Sequence, residues 1–162
     1  MAGALLDPRQ FREALGAFAT GVTIVTTLDP EGRPVGVTSS SFNSVSLDPP
    51  LVVWSLRLES GSLEAFRRAR RFAVHVLEHT QRELSVQFAG ASERRFHGLA
   101  WSNSPNLTPD IGRCAARFEC RTAHEYLGGD HLIFVGEVVA LRAAEDSRPL
   151  LFHKVRYAEI QA

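Results

Sequence analysis

The residues best suited to chemistry fall in three short stretches. The first is Gly36-Val37-Thr38-Ser39-Ser40-Ser41-Phe42-Asn43-Ser44-Val45-Ser46, the densest polar run in the chain. Successive hydroxyls and exposed backbone amides make an array of donors that suits an anionic or carbonyl-rich ligand. Serines and threonines at a strand end also bond their own backbone, and that account of the run stands beside the first. In the second stretch Ser55 and Arg57 end an apolar segment and Ser60 opens a predicted helix. A helix N-terminus beside serine and arginine can take a phosphate. An N-cap at Ser60 or Ser62 with a solvated Arg57 explains the same residues. The third stretch, Gly128-Gly129-Asp130-His131, sets a histidine directly after a tight turn. That histidine could donate to a ligand, relay a proton or simply sit at a hairpin tip.

Other chemistries leave no signature. There is no G-x-G-x-x-G, no G-x-x-x-x-G-K-[ST], no C-x-x-C and no G-x-S-x-G. His75 and His79 are four apart, but Phe72, Val74 and Val76 alternate with period two. The two histidines therefore belong to a strand running into a loop and lie far apart. No metal site is expected, because a structural site needs about four convergent ligands. The basic run Arg67-Arg68-Ala69-Arg70-Arg71 closes a predicted helix, where cations complement the dipole. Contact with the phosphates of a nucleotide is the competing use.

The elements that must position these groups read as follows. Residues 8–18 form a helix capped by Asp7, with Pro8 in its first turn and Phe11, Leu15 and Phe18 at helical spacing. Val22 to Leu28 and Pro34 to Phe42 form a hairpin around Asp29-Pro30-Glu31-Gly32. Leu51 to Leu56 is a strand, Ser60 to Arg71 a short helix and Phe72 to Leu77 another strand. Thr80 with Glu83 three residues on reads as a capping box, followed by Leu84 and Phe88 on an apolar helix face. Residues 90–112 read as a long loop, of a length that is usually functional. Cys114 to Tyr126 and His131 to Leu141 are two long strands joined at Gly128-Gly129, and Leu150 to Ile160 adds a last strand or two. Such a series, with only short helices, predicts a closed or nearly closed antiparallel barrel.

The chain has 162 residues, a length that fits one domain and leaves no room for separate nucleotide and catalytic domains. Eighteen basic and eighteen acidic residues balance, which argues against nucleic acid or anionic lipid as a partner. No apolar run approaches the roughly 20 residues of a membrane span, and no signal peptide is read at the N-terminus. Two cysteines, Cys114 and Cys120, are too few for a disulfide scaffold, so a reducing cytoplasm is expected.

Taken together, these segments resemble the flavin reductase family with the FMN-binding split-barrel fold. The residues that carry the resemblance are 18–27, the Ser-rich run through Asp48-Pro49-Pro50 to Val52, Phe96-His97-Gly98, Gly129-Asp130-His131 with Val135-Gly136-Glu137-Val138, and Pro149 to Tyr157. The resemblance implies a mainly β, six-stranded antiparallel Greek-key split barrel with a few short helices, working as a homodimer. It implies an NAD(P)H:flavin oxidoreductase that uses FMN or FAD with NADH or NADPH and passes reduced flavin to a partner monooxygenase. Thr38, Ser39, Ser40, Ser41, Asn43 and Ser44 would then line the flavin ring edge and ribityl chain. Ser55, Arg57 and Ser60 would lie near its phosphate, and Phe88, Arg95 and Phe96 would close over the site. His131 would meet the nicotinamide, with Asp130 orienting the loop. Val155 stands where the family often has glycine. The alternatives are a non-catalytic flavin- or haem-binding carrier or sensor of the same fold, and a split-barrel reductase of another small acceptor.

Overall fold

The computed structural model describes residues 6–161. A helix α1 (Pro8–Gly16) leads into β1 (Thr20–Gly21), β2 (Thr23–Leu28) and β3 (Pro34–Ser39). β4 (Asn43–Leu47) and β5 (Pro50–Arg57) follow, then α2 (Leu63–Ala69), β6 (Arg71–Val76) and α3 (Arg82–Ala89). The remaining strands are β7 (Ser102–Asn103), β8 (Pro109–Asp110), β9 (Ala116–Gly128), β10 (His131–Ala143), β11 (Leu151–His153) and β12 (Arg156–Ala158). No helix among the described residues is long and apolar enough to cross a membrane.

Seven strands form one sheet in the order β3-β2-β6-β9-β10-β5-β4. Its pairings are antiparallel throughout, in keeping with the mainly β class expected from the sequence. The two edge strands, β3 and β4, are consecutive in the chain and separated only by residues 40–42. Four residue steps can span at most about 14 Å, so the sheet must curl until its edges meet. The edges are not zipped by a backbone ladder. Beyond the start of β4, the Ser41 hydroxyl accepts the Ser55 N–H at 2.9 Å and donates to the Ser55 carbonyl at 3.3 Å. Ser39 Oγ at the end of β3 meets Ser41 Oγ at 2.8 Å, so two side chains together cross from β3 to β5.

Two apolar clusters fill the two faces of the sheet. Inside the barrel lie Val25, Val37, Trp54, Phe66, Phe72, Val74, Leu132 and Phe134. Trp54 stacks on Phe134 at 5.0 Å and meets the edge of Phe66, which α2 inserts as a plug, at 4.9 Å. Such aromatic pairs contribute about 0.5–1.5 kcal/mol beyond their buried area. Outside the barrel, Ile24, Leu77, Phe88, Ile111 and Leu150 form the second cluster. β2 therefore has both faces covered, which explains its run of buried residues.

Several local expectations need correction. α1 ends at Gly16, not at 18, and none of its residues is buried. The strand begun at Pro34 stops at Ser39, and Asn43–Leu47 is an edge strand of its own with a bulge between Ser44 and Ser46. The alternation Ser44-Val45-Ser46-Leu47 is too short to announce a strand beside the serine run, and its apolar members, Val45 and Leu47, are both exposed. The capping box is made by Glu78 and Gln81, two residues earlier than Thr80 and Glu83. Glu78 also pairs with Arg113 at 2.7 Å and accepts from Ser147 at 3.0 Å, which holds the helix start to the end of the 90–112 segment.

One buried histidine makes the fold sensitive to acid. His75 on β6 donates from Nδ1 to the Ile24 carbonyl at 3.2 Å, and its Nε2 accepts from Arg117 at 3.2 Å. Complete burial, and then the Arg117 charge, push its pKa down from 6.5 to about 3. Arg142 opposes the protonated form as well, while Asp110 favours it too weakly to compensate. The unfolded chain takes up a proton near pH 6.5 that the folded chain refuses until about pH 3. Stability is therefore full above pH 6.5 and falls as the pH drops through this window. His75→Asn is expected to be less stable at neutral pH but to show a flatter loss between pH 6.5 and 4, read by urea unfolding across that range.

Candidate functional site

The split in the barrel opens into a hollow of about 530 Å³. Such a volume is within the range of small-molecule sites. Three elements build it. The end of β3 and the turn after it supply Val37, Thr38, Ser39, Ser40 and Ser41. The end of β5 and its turn supply Ser55, Leu56, Arg57, Glu59 and Ser60. Phe88, Ala89, Arg95 and His131 complete the wall. Two stretches that the sequence marks separately are thus brought together because β3 and β5 flank the split. The third arrives through the β9–β10 hairpin, which pairs His131 with Arg57 across the strands.

The hydroxyls do different work. Ser39 Oγ bonds Ser41 Oγ at 2.8 Å and accepts the Ser41 N–H at 3.3 Å. Ser41 in turn holds Ser55, so these side chains shape the turn as well as face the hollow. The Thr38 hydroxyl is engaged elsewhere and donates to the Ser85 carbonyl of α3 at 2.6 Å. Ser60 Oγ accepts the Ser62 N–H at 3.3 Å and retains its own hydrogen for a ligand. Among the described residues, the Arg57 guanidinium makes no hydrogen bond. It is a cation available to an anion beside Ser55 and Ser60.

His131 is held by its neighbour. The Asp130 carboxylate accepts from His131 Nδ1 at 2.7 Å, which assigns the proton to that nitrogen and leaves Nε2 for another partner. That bond from the imidazole, followed by its charge, lowers the Asp130 pKa. The backbone takes part too, since the Asp130 carbonyl accepts the Leu58 N–H at 2.9 Å and ties the hairpin tip to the β5 turn. Asp130 itself is not a lining residue.

Not every predicted residue reaches the hollow. Asn43 and Ser44 lie on β4, exposed, and the Asn43 side chain accepts the Ser44 N–H at 2.8 Å. Phe96 packs behind the wall, edge-on to Phe88 at 4.9 Å. Sequence reasoning missed Glu59, an acidic neighbour of Arg57, and the role of Gly36. A Cβ on Gly36 would come within 2.5 Å of the Phe88 ring and 3.3 Å of the Phe96 ring. The glycine lets the two aromatics lie directly against β3, and only the folded distances reveal that.

The residues present suit a flavin. Among the described residues the Ser40 hydroxyl stays unengaged in the turn and can serve a carbonyl-rich ring edge, and a cation and a free hydroxyl lie at Arg57 and Ser60 for a phosphate. A flavin reductase like domain model matches residues 15–161. The chain belongs to this family. The FMN reductase (NADH) SmoA of Agrobacterium fabrum is 52% identical over 90% of this chain and 82% of that protein. The reductase subunit HsaB of a flavin-dependent monooxygenase from Rhodococcus jostii is 38% identical over 99% of this chain and 82% of that protein. For two similar reductases from Rhizobium meliloti, the chain spans 61% and 45% of their length. Among solved structures, the NADH:FAD oxidoreductase of Streptomyces globisporus in complex with NAD and FAD fragments superposes with a TM-score of 0.89. It is 34% identical, with 98% of each chain covered. Within this flavin reductase like domain, Gly36→Ala is expected to lower stability by about 1–3 kcal/mol by overpacking against Phe88. It should also weaken flavin binding, and thermal melts with flavin titration would measure both.

Proposed function

We propose that this chain is an NAD(P)H-dependent flavin reductase that moves a hydride from nicotinamide to FMN or FAD and supplies reduced flavin to a partner monooxygenase. The observation that carries the reading is the convergence of the Ser39–Ser41 turn, Arg57 and His131 on one hollow at the barrel split. When bound, flavin and nicotinamide supply the redox chemistry themselves, as acceptor and donor of the hydride. The protein's task is to hold two rings in contact and to stabilise charge. The Ser39–Ser41–Ser55 bonds use their own donors to fix the turn, which leaves the Ser40 hydroxyl held where it can face the edge on which negative charge develops. Thr38 contributes its position and not its hydroxyl. Asn43 and Ser44 would have to reach the ring from the sheet edge. Ser55, Arg57 and Ser60 hold the phosphate, and Phe88 with Arg95 and Phe96 form the wall behind it. His131 presents Nε2 to the nicotinamide while Asp130 fixes its ring, which is the part of the site a simple flavin carrier would not need.

Two further features support the wider reading. Phe11, Leu15 and Phe18 are all more than half exposed, which gives an apolar stripe that a second copy of the chain can cover. Cys114 and Cys120 are free thiols, consistent with a reducing cytoplasm. The whole chain acts as one flavin-binding unit.

Purified protein should oxidise NADH or NADPH when FMN or FAD is added. Absence of turnover with all four pairs would overturn the reading. His131→Ala is expected to raise the KM for nicotinamide about tenfold or more while leaving the flavin Kd nearly unchanged. Light scattering should give the mass of two chains, and Phe11→Asp with Phe18→Asp should shift it toward one.

A further inference from the structure

A second hollow, of about 450 Å³, continues the first along the same two walls. Where Val37 lines the flavin hollow, Pro34, Val35 and Gly36 line the second; where Ser60 lines the first, Gly61 and Ser62 line the second. Arg95 lines both. Its side chain crosses from wall to wall. Nη1 donates to the Gly36 carbonyl at 3.0 Å on one side and to Ser62 Oγ at 3.1 Å on the other. Nε donates to the Gly90 carbonyl at 3.0 Å, which fixes the guanidinium from a third direction. A charged group with three such bonds is costly to move, because each acceptor would lose its donor.

We propose that Arg95 is a specificity-determining bar that closes the groove behind the flavin's terminal phosphate and so favours a flavin mononucleotide over a dinucleotide. The proposal rests on the reading above, in which Arg57 and Ser60 face that phosphate. The bar has two effects of the same sign. A phosphate monoester is a dianion near neutral pH, and Arg57 with Arg95 flanks it with two cations. A dinucleotide laid along this groove would send a diphosphate and an adenosine past the same point. Beyond the bar the second hollow is lined by Glu93, a carboxylate that repels a second phosphate. Asp29 is already paired with Arg33 at 2.7 Å, so that arginine is not free to receive the anion.

Equilibrium dialysis of FMN, FAD and riboflavin against the intact protein tests the idea without relying on turnover. The wild type is expected to hold FMN about tenfold or more tightly than FAD, a difference of about 1.4 kcal/mol. Arg95→Ala should bring the two within about threefold, chiefly by weakening FMN while FAD binds as well or better. Arg95→Lys keeps the charge but cannot bridge Gly36, Ser62 and Gly90 together. It should move the ratio the same way, and it carries the test if melting shows that the alanine variant is unfolded. Equal affinities of the wild type for FMN and FAD would overturn the proposal. So would an equal loss for both flavins in either variant, which would make Arg95 only a strut. Riboflavin separates the two readings. If all three flavins fail to bind and no NADH is oxidised, the flavin site itself is wrong; if they bind alike, only the bar is.

Discussion

The closure of the sheet on itself is the constraint on which the rest depends. Three residues, 40–42, join the strands at opposite edges of a seven-stranded sheet. That short link forces curvature, and curvature encloses the aromatic core around Trp54 and Phe134. The edges approach without a continuous ladder, and the remaining gap is crossed by the Ser41 hydroxyl and the Ser55 backbone. Unpaired strand edges are normally a liability because they invite pairing with other chains. Here the unpaired stretch becomes a lined hollow, and the backbone groups left over are donors for a ligand.

Rigidity around the hollow comes from both sides of the sheet. α2 inserts Phe66 into the barrel, and its cap residue Ser62 accepts from Arg95. α3 lies on the outside, where Ser85 binds Thr38 through its carbonyl and the Tyr157 hydroxyl through its side chain at 2.9 Å. β3 is thus held from above and below, with Gly36 allowing Phe88 and Phe96 to seat against it. A ligand site of this kind needs donors that are already in place when charge develops, and these bonds keep them there. The buried His75–Arg117–Glu119 group lies away from the hollow and secures β9 to β6 and the 104–110 segment. Its role is in stability, and its neutral histidine ties that stability to pH.

How far the sequence could be read varied with the range of the forces involved. The β9–β10 hairpin was legible because Gly128-Gly129 sits between two long strand-like segments, and the observed register is centred there. The cap of α1 was legible for the same local reason, since Asp7 accepts the Arg9 N–H at 2.9 Å. β4 was not, because its alternation covers only four residues within a serine-rich run and its apolar side chains, Val45 and Leu47, are exposed. The apolar face of α1 shows another limit. Its spacing is helical, but among the described residues its side chains stay exposed, and periodicity does not say whether a partner lies in the same molecule.

The sequence by itself determined the class of chemistry. Runs of serine, an arginine at a strand end and an Asp-His pair after a turn are recognisable in one dimension, because side-chain chemistry belongs to the residue. It also determined the antiparallel barrel, because alternation and turn residues act locally. Only the tertiary structure decided which donors face the hollow. Thr38 points its hydroxyl to Ser85, Asn43 and Ser44 stay on the sheet edge, and Arg95 lies across the groove. Those outcomes depend on distances between strands far apart in sequence. Such distances are fixed by how the sheet curls and packs, and no single stretch of the chain encodes them.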